Sequence, residues 1–295
     1  MKRLGLVAAI GVSLFSLLQA QDAKISLRGH VAWDQFRLHA TSSLDLAAAG
    51  LSLPTGRAQA EELAAMEFPD LVLAPLLRLP VDSADDLSDL IDRGEYALRD
   101  LGSVSSGAQK AAPYLSVDLQ TLNTAYAVDL LPLQAALIRH RTATDVPRTL
   151  MDVPSRPYTG IIILADDPLP VHGKKTVARG QPCFFPKIWD SDMNLLYERN
   201  MVDPLRAKSA GIVRYAAARR VLASTPTGLD DDLRALVGDH PARILARGFF
   251  GVRPTDPIID RNDALELISR EENRRLLREG RVVIVLAEEV LAFSF

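Results

Sequence analysis

Cys183 is the only cysteine of the 295-residue chain, and a thiol nucleophile there would need a base such as His172 or His240 beside it. No spacing ties either histidine to it, and Phe184 and Phe185 place the thiol in what reads as a core strand. A buried, inert cysteine is expected. A lone thiol also leaves no partner for an intramolecular disulfide. His30 and His39 offer a second chemistry. If Asp34-Gln35 is a two-residue turn, Trp33 faces Phe36 and His30 lies directly opposite His39. Two facing imidazoles could hold a metal, but a first shell normally takes three or four ligands and no carboxylate or thiol pattern accompanies them. A solvated sheet face is the expectation. Asp190, Asp192 and Asn194 open like a calcium loop, yet the required glycine and terminal acid are replaced by Leu195 and Met201. A hairpin turn accounts for the same residues. The triplet Asp230-Asp231-Asp232 suits the positive end of a helix better than a metal. No P-loop, HExxH, GxSxG or glycine-rich dinucleotide fingerprint occurs. No catalytic residue, cofactor or metal ligand is assigned.

The composition belongs to an ordinary globular protein, with 48% hydrophobic residues and a formal net charge of −3. No basic block stands out, which argues against a nucleic-acid partner. Met1–Ala20 reads as a cleaved targeting segment: Lys2 and Arg3 precede an apolar run from Leu4 to Leu18, and Ala20 offers a small residue for cleavage. The run is shorter than the roughly 20 residues a membrane span needs, and no cysteine follows it to take a lipid. Nothing beyond Ala20 is long and apolar enough to span a membrane. A periplasmic, exported protein is therefore expected.

The elements can be read in order. Ile25–Thr41 alternates as a hairpin. Arg57–Met66 is rich in helix formers, with Arg57 and Glu61 spaced to pair; Pro69, Pro75 and Pro80 predict helix pieces broken at Phe68 and around Leu79. Ser83 is expected to cap a helix through Ile91 that stops at Gly94. Gly102–Pro113 reads as a linker by composition. Val117, Leu119, Thr121, Ala127 and Asp129 read as strands, and Leu130–His140 as a strand or short helix. The run Ile161–Ala165, bounded by Gly160 and Asp166, suits a strand buried on both faces. Pro186, Ile188 and Trp189, the polar Asp190–Asp192 and then Leu195–Tyr197 predict strand, tight turn and return strand. Between these two units, the 166–181 insert carries His172, Lys174, Lys175 and Arg179, which could recruit an acidic surface or lipid phosphate. With three cations and no aromatic among them, a plain loop is expected. Further on, Ala210–Tyr215 reads as a strand. Leu229, Leu233, Leu236 and Val237 form a helical stripe that Pro241 ends. Ile244–Ala246 and Ile258-Ile259 read as short strands. Asp263 and Glu266 open a helix reaching Glu279, supported by a Glu271–Arg275 pair and stopped by Gly280. Val282–Leu286 is an apolar strand.

Tyr158-Thr159-Gly160 leading into a strand, then Pro186, Ile188 and Asp190, a polar turn and Leu196-Tyr197, resembles the C-terminal half of the LPP20-like family of bacterial envelope proteins, which includes the flagellar outer-membrane-associated protein FlgP. The closing helix and strand extend the resemblance, which covers Tyr158 to Leu286 with gaps, and Gly56-Arg57 with Ala60-Glu61 at a helix start is a further point of likeness outside that span. The insert 166–181 is longer than the family's link, and the lipid-bearing cysteine common in the family is absent. The resemblance implies a role in flagellar or outer-membrane assemblies and homo-oligomerisation.

The expected fold is α+β: a mixed β-sheet with flanking helices, built from an N-terminal hairpin and helical region at 21–112 and a C-terminal α/β domain at 113–295. The expected function is that of a non-enzymatic periplasmic structural or assembly protein whose partners are envelope or flagellar proteins. The alternative is a periplasmic ligand-binding protein or hydrolase with a pocket under the 166–181 loop. Open strand edges or apolar patches would mark the first, and a deep pocket with converging ionisable groups the second.

Overall fold

A computed structural model describes residues 24–151, 153–222 and 227–295; the targeting segment expected at 1–20 lies outside them. The N-terminal half runs β1 (Ile25–Ala32), β2 (Arg37–Asp45), α1 (Arg57–Leu77), α2 (Leu87–Asp92), α3 (Leu98–Ser106), β3 (Gln109–Lys110), β4 (Tyr114–Leu115), β5 (Thr121–Asp129) and α4 (Leu131–Ala136). An extended connection then leads to β6 (Ile161–Leu164), β7 (Leu169–Pro170), β8 (Val177–Ala178), β9 (Ile188–Asp190), β10 (Leu195–Tyr197), α5 (Pro204–Ala210), β11 (Arg214–Ala217), α6 (Ala218–Val221) and α7 (Asp231–Val237). The chain closes with β12 (Ala242–Phe250), β13 (Asp256–Ile259), α8 (Arg261–Ser269), α9 (Glu271–Arg278), β14 (Val282–Leu286), α10 (Glu288–Leu291) and β15 (Ala292–Ser294).

The fold is α+β. One antiparallel sheet has the order β15-β1-β2-β5-β3, with β4 also on β5. The boundary expected at residue 112 runs through this sheet, because β5 pairs with β2 along its whole length. The second sheet, β10-β9-β13-β12-β6-β14-β11, is mixed. Its centre, β12-β6-β14-β11, is parallel. As the run Ile161–Leu164 predicts, β6 is buried on both faces: Ile161 and Ile163 pack into the main core, Ile162 into a second cluster under α7.

The hairpin register is the expected one: Trp33 meets Phe36 edge-on at 6.0 Å and His30 pairs with His39. The same tryptophan joins the two halves of the molecule, lying 5.3 Å from Phe184 and 6.3 Å from Tyr215 of β11. Tyr215 anchors the segment before β9 in turn: its hydroxyl donates to the Cys183 carbonyl at 2.9 Å and accepts from the Cys183 N–H at 3.0 Å. A single hydrophobic core therefore runs from one sheet to the other.

Several local expectations are corrected. The break expected at Phe68 does not occur; α1 continues through Pro69 and Pro75. Each proline removes one helical hydrogen bond, but Ala60, Ala64, Phe68, Val72 and Leu76 form an unbroken buried stripe, and Phe68 stacks on Tyr126 at 3.7 Å. Packing outweighs a cost of about 3 kcal/mol per interior proline. The cap of α2 is Asp86, in a reciprocal capping box with Asp89, and not Ser83; Asp85 is held by Arg93 instead. The first part of the expected Gly102–Pro113 linker, Gly102–Ser106, is the second half of α3, whose Leu101 and Val104 are buried, and Gln109–Lys110 forms β3. Val117 and Leu119 sit exposed in the turn before β5. Leu130–His140 yields the short helix α4. Cys183 lies in irregular chain rather than a strand. The strand expected from Ala210 starts only at Arg214, since Pro204–Ala210 is helical behind the Asp203 cap. The helix expected to reach Glu279 is broken at Arg270, which is extended. Arg274 caps the break by donating to the Ile268 carbonyl at 2.6 Å. The cap of α8 is Asp260, not Asp263. Glu271 pairs with Arg274 and Arg278, while Arg275 pairs with Glu279.

Candidate functional site

The residues of the Tyr158–Tyr197 motif hold the second sheet together. The N–H of Tyr158 donates to Asn273 Oδ1 at 2.9 Å, and Asn273, fully buried, also donates to Ser155 Oγ and the Arg156 carbonyl. Thr159 Oγ1 donates to the Val237 carbonyl at 2.7 Å and accepts from the His240 N–H at 3.0 Å, so it clamps the end of α7. Gly160 passes directly beneath that end. Ile188 is a buried β9 residue that follows Pro186. Asp190 makes the β9–β10 turn: Oδ1 accepts from the N–H groups of Asp192 and Asn194, and Oδ2 from Asn194 Nδ2. This consumes the acidic cluster in a turn. Tyr197 is buried with its hydroxyl on the Ile212 carbonyl.

Ionisable groups converge in a cleft at the start of β12, lined by Arg156, Tyr158, His240, Arg243, Asp263 and Glu266. Several of its groups are already engaged. The Tyr158 hydroxyl bonds to Glu266, and Arg156 lies over the Tyr158 ring at 5.2 Å. Arg243 donates to the Val221 and Thr227 carbonyls. Burial, then the neighbouring Asp260, pushes Asp263 above the usual aspartate range.

Cys183 is fully buried, and burial followed by the charge of Asp256 drives its thiol far up. That is an inert thiol. His172 stands instead against Phe250, at 6.0 Å. Asp256 is the notable titratable group of this region, nearly fully buried and accepting from Thr255 Oγ1 at 2.8 Å and the Lys187 N–H at 3.2 Å. Burial raises its folded-state pKa. Between the ordinary aspartate range and that raised value, the folded protein keeps a proton the unfolded chain releases. Stability therefore falls as pH rises through this window and levels off above it. Urea unfolding from about pH 4 to about pH 7 is expected to show wild type losing stability relative to Asp256→Asn; a difference that does not change with pH contradicts this.

The 166–181 insert is a small hairpin, β7 with β8, docked on β12 through the His172 N–H and Phe249 carbonyl at 2.8 Å. Lys174 Nζ donates to the Val252 carbonyl, and Arg179 pairs with Glu289 at 2.8 Å. Two of the insert's cations thus serve internal bonds. Its end, Gln181-Pro182, borders a cavity of about 330 Å³ at the seam of the two sheets, walled by Trp33, Val290 and Phe293 with Arg78, Arg253 and Glu289 at its polar side. Neither arginine stood out in the sequence. They come from the end of α1 and the β12–β13 loop, and only the fold brings them together.

His30 and His39 stack on the outer face of the first sheet with centroids 5.3 Å apart. Partial burial, then His30 and Arg37, lower the pKa of His39. Among the described residues no further His, Cys, Asp or Glu joins them in a metal-binding group.

The remaining feature is the edge of that sheet. Gly29 exchanges both backbone hydrogen bonds with Phe295, and the Trp33 N–H reaches the Leu291 carbonyl, whereas the Lys24 carbonyl accepts from Asp45 beside β2. Backbone groups of an antiparallel strand alternate in direction, so odd-numbered residues of β1 face away from β2. β15 covers His30 to Ala32. Ahead of Gly29 no described strand pairs with this side, and the N–H and C=O groups of Ile25 and Leu27 form an edge with no backbone partner among the described residues.

Residues 24–137 match the family model for the N-terminal domain of Treponema pallidum Tp0624, and residues 160–288 match that for the second domain of the same protein. The two spans follow one another in the order of those domains, and the extended connection between α4 and β6 falls between them. Neither description names an activity, ligand or partner. No curated protein matches the chain. No helix among the described residues is long and apolar enough to cross a membrane.

Proposed function

We propose that this chain is a non-enzymatic structural or assembly component of the bacterial envelope that binds other envelope proteins by strand addition. The observation that carries this reading is the open backbone edge at Ile25 and Leu27. Such an edge is a template on which another chain adds a strand. The ionisable cleft beside β12 supports the same reading in part, because Tyr158 is tied to Glu266 and Arg243 to backbone carbonyls. Placement in the periplasm rests on the Met1–Ala20 segment. Association with flagellar or outer-membrane machinery, and homo-oligomerisation, rest on the LPP20-like resemblance of Tyr158 to Tyr197.

Leu27→Pro tests the edge directly. Proline deletes the outward N–H while leaving the β1–β2 ladder intact, as edge strands tolerate. Leu27→Ala controls for the lost side chain. In chemical crosslinking of intact cells followed by mass spectrometry, wild type and Leu27→Ala should capture envelope proteins and Leu27→Pro should lose most of them while melting near Leu27→Ala. Equal capture by all three would show that the edge is not the binding surface.

A further inference from the structure

The seam cavity combines features that the assembly reading does not use. Its walls are apolar: Trp33 from the hairpin turn, Val290 of α10 and Phe293 of β15. Its polar side is cationic. Arg78 lies over the Phe293 ring at 6.0 Å and has no carboxylate partner among the described residues. Arg253 has one long contact, to Asp86 at 3.4 Å, and its buried Nη1 has no hydrogen-bond acceptor in the protein. Glu289 is neutralised by Arg179. Arg78 without a carboxylate and Arg253 with a single long ion pair leave positive charge at the cavity that a bound anion would balance. The cavity also lies beside the turn following β14, off the carboxyl ends of the parallel strands, where ligands gather in sheets of this kind. Its volume falls at the small end of ligand pockets.

We propose that this cavity binds a compact amphipathic anion, an organic carboxylate with an apolar body. The carboxylate accepts from Arg78 and Arg253, and the body packs against Trp33, Val290 and Phe293. The probe is octanoate, with octanol as its uncharged counterpart. Trp33 lines the site and the chain has 2 tryptophans, so Trp189→Phe leaves Trp33 as the sole emission reporter. Octanoate should give a saturable change in Trp33 emission, and octanol should bind at least about tenfold more weakly, as expected for losing a hydrogen bond to a charged group. Arg78→Met should weaken octanoate by a similar factor and leave octanol unaffected, with Arg78→Lys intermediate. Calorimetry of octanoate against octanol on the unsubstituted protein makes the same comparison with no variant. Absence of saturable octanoate binding, equal affinity for octanol, or unchanged affinity in a folded Arg78→Met overturns the proposal.

Discussion

Trp33→Ala is expected to lower the unfolding free energy by about 3–5 kcal/mol, the range for truncating a large buried aromatic. Trp33 is 2% exposed and touches groups from three parts of the chain: Phe36 across its own turn, Phe184 before β9, and Tyr215 on β11. Its neighbours are fixed from both sheets, so they can collapse little into the space left behind, which places the cost high in the range. The loss also loosens the one core that spans the two sheets. Urea denaturation followed by circular dichroism should show a lower midpoint for both halves of the molecule. A change below about 1 kcal/mol, or a loss confined to one half, would mean that the seam does not couple them.

Gly160→Ala should be the most damaging of the small substitutions. An added Cβ would lie 2.4 Å from Val237 Cα and 2.6 Å from its carbonyl oxygen. These are backbone atoms at the end of α7, so no rotamer change relieves the clash. The helix end must move, which disrupts the Thr159 bond to the same carbonyl and opens the cluster of Ile162, Leu233, Val283 and Val285 beneath it. Overpacking costs about 1–3 kcal/mol, occasionally more, and the upper end is expected here. Gly102 provides the contrast. It sits inside α3 with open space where a Cβ would go, so Gly102→Ala should stabilise by about 0.4–1 kcal/mol. Equal effects at the two glycines would refute the close approach of α7.

The strongest periodic signals in the sequence carried most of the fold. Alternation placed β1 against β2 in the observed register, and the runs Ile161–Leu164 and Val282–Leu286 became adjacent parallel strands. Errors arose where local propensity competed with packing. Proline chemistry predicted a break in α1 that the stripe from Ala60 to Leu76 overrides. The glycine and serine of Gly102–Ser106 looked like a linker because Leu101 and Val104, which bury the helix, are few. At Arg270 the reverse occurred: helix formers on both sides hid a break that Arg274 caps through its side chain.

The candidate sites were less legible, for a physical reason. The open edge depends on where β15 stops pairing, and the seam cavity on Arg78 and Arg253 meeting from distant segments. Neither is a property of any local spacing. The Tyr158-Thr159-Gly160 motif was visible, and its structural role followed only from the positions of Val237, His240 and Asn273.

Site-specific photo-crosslinking in living cells tests the central claim most directly. A photoreactive residue at Ser26, exposed on β1, is compared with one at Lys175, exposed on the insert. Binding along the β1 edge predicts envelope-protein adducts from position 26, few from position 175, and loss of the former with Leu27→Pro. Recovery of the uncrosslinked monomer alone from position 26, or the same adducts from both positions, would contradict it.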